Sequence, residues 1–161
     1  MPTAPPVGLV GHWKLDDGAG SVAIDSSGAA NHGALLNGVG WGAGTVGGAS
    51  LHTRILDQHI RIPDSDSLNS IADAFTVSAW VNPAGDTGAY QGIVTRQLGN
   101  DHRDQWYLTI NAGRPIFSVT TTAGTVAAPA PALVADGAWV HLAGTYDGTT
   151  IRLFVNGLVV A

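Results

Sequence analysis

Cysteine is absent, glutamate is absent, and only 7 of the 161 residues are lysine or arginine. Without thiols there is no disulfide framework, no thiolate nucleophile and no cysteine-bound metal. The few cations are strung singly from Lys14 to Arg152. Phosphate neutralisation needs clustered cations, so this distribution argues against a nucleic-acid partner. No run approaches the about 20 apolar residues that a membrane helix needs, and membrane insertion is not expected. No lysine-headed apolar stretch marks a signal peptide at the start.

The acidic residues are also one-sided: all 12 are aspartates, and the formal net charge is −5. Glutamate favours helices, whereas aspartate favours turns, caps and hard-cation sites. With 22 glycines and 12% charged residues, the composition suits a loop-rich β protein. A chain of this length is one domain by the usual prior and buries about two-thirds of the surface its unfolded form would expose. "MPTAPPVG" reads as a Pro/Thr/Ala linker of the kind that precedes a module in a longer chain. Residues 1–7 are therefore expected to be linker and residues 8–161 the domain.

Alternation with period 2 recurs, and helical periodicity does not. "AFTVSAWVNP" sets Phe75, Val77, Ala79 and Val81 on one face and Thr76, Ser78 and Trp80 on the other. "QWYLTINAG" alternates Trp106, Leu108 and Ile110 with Tyr107, Thr109 and Asn111, and "RPIFSVTTT", "AWVHLAGTY" and "TIRLFVNG" repeat the pattern. Turn clusters separate these runs: Asp64-Ser65-Asp66, Pro83-Ala84-Gly85-Asp86, Asn111-Ala112-Gly113, Asp136-Gly137, Asp147-Gly148 and Asn156-Gly157. Asp-Gly and Asn-Gly between apolar runs are strong hairpin signals, because both central residues of a type I′ turn need positive φ. The one helical piece expected is a single turn in "SDSLNSI", capped by Asp64 or Ser65. Gly-rich "NGVGWGAGTVGG" is expected to be an ordered loop anchored by Trp41 and Val46. These features predict an all-β fold, a two-sheet antiparallel β-sandwich or barrel.

Three groups of side chains suggest chemistry. Asp16, Asp17 and Asp25 lie in a glycine-rich N-terminal stretch and suit calcium, or they only make local Asx-turns. The six histidines (12, 32, 52, 59, 102 and 141) show no metal-binding spacing. If Val77, Leu142 and Leu153 face inward, then Trp80, His141 and Phe154 point to the opposite face, with Tyr107 beside them if Leu108 is inward. Outward aromatics suit sugar rings, whose apolar face stacks on an indole. Loops folding over Trp80 and Trp139 are the competing arrangement. Arg152 and Asn156 complete the expected contact set of Trp80, Tyr107, His141, Arg152, Phe154 and Asn156.

The ordered blocks "GLVGHWKLDDGAG", "DSSG", "NHG", "LDQHIRIPDSDSLN", "AFTVSAWVNP", "YQGIVTRQ" and "WVHLAGTYDGTTIRLFVNGLVVA" resemble those of laminin-G-like domains in the concanavalin A-like jelly-roll superfamily. The resemblance implies a jelly-roll sandwich, often with a structural Ca²⁺ on its rim, at matching acids Asp16, Asp17, Asp25 and Asp57. It also implies a binding module of secreted or cell-surface multidomain proteins. Domains of this kind continue beyond "VNGLVVA", so unpaired sheet edges are expected, together with a homo-oligomer or a second chain donating a strand.

The superfamily also holds retaining glycosidases, which need two carboxyl groups about 5 Å apart on one strand. This chain has no glutamate and no aspartate substitute for that pattern. The expected function is thus non-catalytic binding of carbohydrate, as in lectins. An adhesion module that contacts proteins without a sugar site is one alternative. A polysaccharide-active enzyme using His141 or His102 with Tyr107 as acid and base is the other.

Overall fold

A computed structural model describes residues 7–53, 56–71, 73–84, 90–98 and 103–161. The chain forms two compact units, residues 1–71 and 72–161. His102 and the Gly85-Asp86 turn lie outside the described residues.

In the first unit, β1 (Val22–Ala23), β2 (Gly33–Leu36) and β5 (His59–Arg61) form an antiparallel sheet in the order β1-β2-β5. β3 (Gly40–Ala43) and β4 (Gly48–Leu51) form a separate hairpin. The glycine-rich stretch expected to be a loop is therefore this hairpin. Its Trp41 anchor donates Nε1–H to the carbonyl of Gly20 at 2.9 Å. Among the described residues the single helical turn is α1, Asp66–Asn69, and Ser65 is its cap, accepting from the Leu68 N–H.

The second unit is a β-sandwich. One antiparallel sheet has the order β10-β9-β8-β7, built from β7 (Tyr90–Leu98), β8 (Arg103–Asn111), β9 (Arg114–Thr121) and β10 (Gly124–Pro129). The other has the order β13-β12-β11-β6, from β6 (Phe75–Val81), β11 (Val140–Tyr146), β12 (Ile151–Val155) and β13 (Leu158–Val159). The period-2 runs dictate the faces. Trp106, Leu108, Ile110, Phe117 and Val119 of the first sheet meet Val140, Leu142 and Leu153 of the second in one apolar core. Phe75 packs against Trp106 at a tilt and edge-to-face against Phe117 and Tyr146, with ring centroids 5.3–6.1 Å apart.

Turn chemistry sets the registers. Ala112 (φ 48°) with Gly113 (φ 74°) and Asn156 (φ 50°) with Gly157 (φ 81°) are two-residue connections with both central φ positive, as type I′ turns require. Asp147-Gly148 departs from that expectation, because only Gly148 has positive φ. Tyr146 pairs with Ile151, leaving a four-residue loop organised by the Asp147 carboxylate, which accepts from the N–H groups of Thr149 and Thr150.

Candidate functional site

Five of the six expected contact residues share the outer face of the sheet formed by β6, β11, β12 and β13. Val140, Leu142 and Gly144 are buried inward, so His141, Ala143 and Thr145 point outward. The register then lays out three rows. Trp80 lies opposite His141, whose other neighbour is Asn156. Ser78, Ala143, Phe154 and Val159 form the next row, and Thr76, Thr145 and Arg152 the third.

Trp80 is 49% exposed, and its ring centroid lies 5.2 Å from that of His141 at an interplanar angle of 56°. Among the described residues this indole is open at that exposure, whereas Trp139 is half-buried. The type I′ turn carries Asn156 to His141, where the Asn156 Oδ1 accepts the His141 backbone N–H at 2.9 Å. An open indole, an imidazole and an amide thus stand along one line. Arg152 is held at the far row by a 3.0 Å ion pair with Asp147. Hydrogen bonds from Thr150, Thr149 and Arg152 hold the Asp147 carboxyl well below the usual carboxylate range.

Tyr107 does not join them. It belongs to β8 in the opposite sheet, where Leu108 is inward and Tyr107 faces out on the far side of the sandwich. The alternation placed Tyr107 outward, as found, but a period of 2 says nothing about which sheet a strand enters. For the same reason the acid/base pairing of His141 with Tyr107 is not assembled, because the two residues lie on opposite outer faces. Around Tyr107 the structure gathers Tyr90, Gly92, Thr95 and Thr109, of which the sequence pattern places only Thr109 on the same face. The signal available was Gly92 inside an otherwise strand-like run, a mark of a bulge or a close approach.

The four aspartates expected to hold calcium do not converge. Among the described residues no three histidine or aspartate side chains gather in a metal-binding group. The Asp25 carboxylate is already filled. Oδ1 accepts the N–H groups of His12 and Ser27, and Oδ2 accepts the Ser27 hydroxyl and the Asn31 N–H, all at 2.8–2.9 Å. A carboxylate has about four lone-pair sites, so none is left for an ion. Asp17 Oδ2 takes the Ile24 N–H at 3.4 Å, Asp16 lies against the Gly47-Gly48 turn, and Asp57 is exposed. This donor set does not fit a calcium ion.

Asp25 is instead a hub that fastens the segments at residues 12, 27 and 31. Asn31 extends it by donating to the Val10 carbonyl and the Ser67 hydroxyl and accepting from Ser65. Burial alone would raise the Asp25 pKa, but hydrogen bonds from Ser27, His12 and Asn31 outweigh it and hold the carboxyl below its ordinary value of 3.8. Because the folded pKa is depressed, the stabilisation is fully present above the unfolded value and is lost as pH falls through the folded one. Asp147 adds to the trend with the same sign. Thermal midpoints measured from neutral pH downward should stay flat to about pH 4 and then fall. Asp25→Asn should show a shallower acid limb.

The Laminin G model described as the concanavalin A-like lectin/glucanases superfamily matches residues 54–161. None of the curated proteins matches the chain. Among solved structures, an S-layer domain-containing protein from Clostridium thermocellum (its residues 221–444) aligns at 23% identity with a TM-score of 0.60. The alignment covers 94% of this chain and 70% of that one. At that identity the likeness is one of fold.

Proposed function

The chain belongs to the concanavalin A-like lectin/glucanases superfamily, and from that premise we propose that it is a non-catalytic binding module for carbohydrate at a cell surface. The observation that carries the reading is the half-exposed Trp80 indole, paired with His141 and followed by Asn156 along one row of an outer sheet face. An exposed indole offers a flat apolar platform for the C–H face of a pyranose. The imidazole and amide beside it supply donors and acceptors for ring hydroxyls. Arg152, engaged by Asp147, orders the β11–β12 loop more than it meets ligand. Phe154 extends the apolar strip toward Val159.

A protein partner is the second reading. It is favoured by the edge strand β13, where Leu158 is 71% and Val159 60% exposed. Exposed apolar edges template pairing with another chain.

Trp80→Ala separates the two. On the carbohydrate reading it weakens binding to an array-selected glycan by at least about tenfold, or ~1.4 kcal/mol, with the fold intact. An unchanged dissociation constant in calorimetric titration would overturn that reading.

A further inference from the structure

We propose that the sandwich carries a second, independent site on its opposite outer face, a groove at a β-bulge shaped for one uncharged, hydroxyl-bearing ring. That this ring is a sugar rests on the reading above; the groove itself does not. The register of β7 on β8 breaks between Gly92 and Val94, leaving Ile93 as an extra residue. Ile93 and Val94 both pack against the core, so two consecutive side chains turn inward. The outward positions on β7 are then 90, 92 and 95 instead of 90, 92 and 94, and the bulge opens space on that face. The central position is Gly92, which has no side chain to fill it.

The resulting groove of about 290 Å³ is lined by Tyr90, Gly92, Thr95, Tyr107 and Thr109. Thr95 lies opposite Tyr107, and Gly92 opposite Thr109. Thr109 is buried at the floor, and its hydroxyl donates to the Gln91 carbonyl at 2.8 Å, which leaves its oxygen as an acceptor toward the groove. Two phenol rings give apolar walls with polar tips. Among the described residues no charged side chain lines the space, so these residues offer an ionic group no counter-charge. The volume sits at the low end for ligand pockets, about 300 Å³, which is room for one ring.

The consequence is bivalence. The Trp80 face and the Tyr107 groove look away from each other across two sheets packed about 10 Å apart. Adjacent residues of one glycan chain cannot reach both, so one module bridges two chains and gains avidity from clustered glycans.

The test is amide chemical-shift mapping of ¹⁵N-labelled protein titrated with the methyl glycosides of glucose, galactose, mannose, xylose and N-acetylglucosamine. At least one should shift the amides of residues 90–95 and 107–109. Gly92→Leu should abolish those shifts and spare any at residues 80 and 141. That variant is tolerable, because a Cβ on Gly92 lies 3.5 Å from the nearest atom, Thr95 Cγ2, and the backbone needs no positive φ there. Tyr107→Ala removes a wall instead of filling the space and should give the same loss. Shifts confined to residues 80 and 141 would overturn the second site and leave the first standing. Groove shifts alone would do the reverse. Groove shifts that survive both variants, or an absence of shifts at the groove, would overturn the proposal.

Discussion

Asp25→Ala is expected to lower the free energy of unfolding by about 3 kcal/mol, because it strands buried donors that now share one carboxylate. In the folded chain Asp25 is 6% exposed and accepts four hydrogen bonds from residues 12, 27 and 31. Removing it leaves the His12, Ser27 and Asn31 N–H groups without that acceptor. The hub also fixes the strand bridge between Trp13 and Asp25 and the entry of Asn31 toward α1. For a chain of this size the loss corresponds to a midpoint lowered by roughly 6–12 °C. Chelation separates this structural role from metal binding. EDTA should leave the midpoint of the unmodified protein where it is, whereas a drop reversed by Ca²⁺ would restore the metal to the account.

Gly144→Ala is expected to destabilise by at least about 2 kcal/mol, although it adds only one methyl group. Gly144 sits inward on β11, directly over the ring of Phe117 in the opposing sheet. A Cβ there would lie 2.3 Å from two ring carbons, and Phe117 is fully buried. Neither can move without displacing the core around Leu108 and Leu142. Gly144→Ala combined with Phe117→Leu should recover part of the loss, since a smaller side chain relieves the overlap. Denaturant unfolding of the two single variants and the double variant measures that coupling. Additive losses would show that the two residues do not meet.

Local signals made most of the sandwich legible. The alternation in "FTVSAWV" and "VHLAGTY" marks inward and outward positions that the structure reproduces. Asn156-Gly157 gives the turn its chemistry demands, and Ser65 caps the one helical turn. Sheet membership was not legible, because it is decided by long-range pairing. Tyr107 shares a pattern with Trp80 but not a face.

The groove was hidden for a related reason: a bulge breaks the period on which the reading depends, and Ile93 is indistinguishable from an ordinary strand residue. Composition does not separate the two roles open to the aspartates, calcium ligand or carboxylate engaged by backbone donors as at Asp25. In both roles the residue sits in a glycine-rich loop. The "NGVGWGAGTVGG" hairpin escaped notice because glycine contributes no side-chain alternation to read.

The central claim is that this superfamily member uses an outer sheet face to hold sugar. Incubating the unmodified protein with an array of neutral and acidic glycans tests it most directly. The account predicts binding to at least one neutral glycan, carried by the Trp80 row. Silence across the array, with reversible self-association or protein capture through β13 in its place, would contradict it.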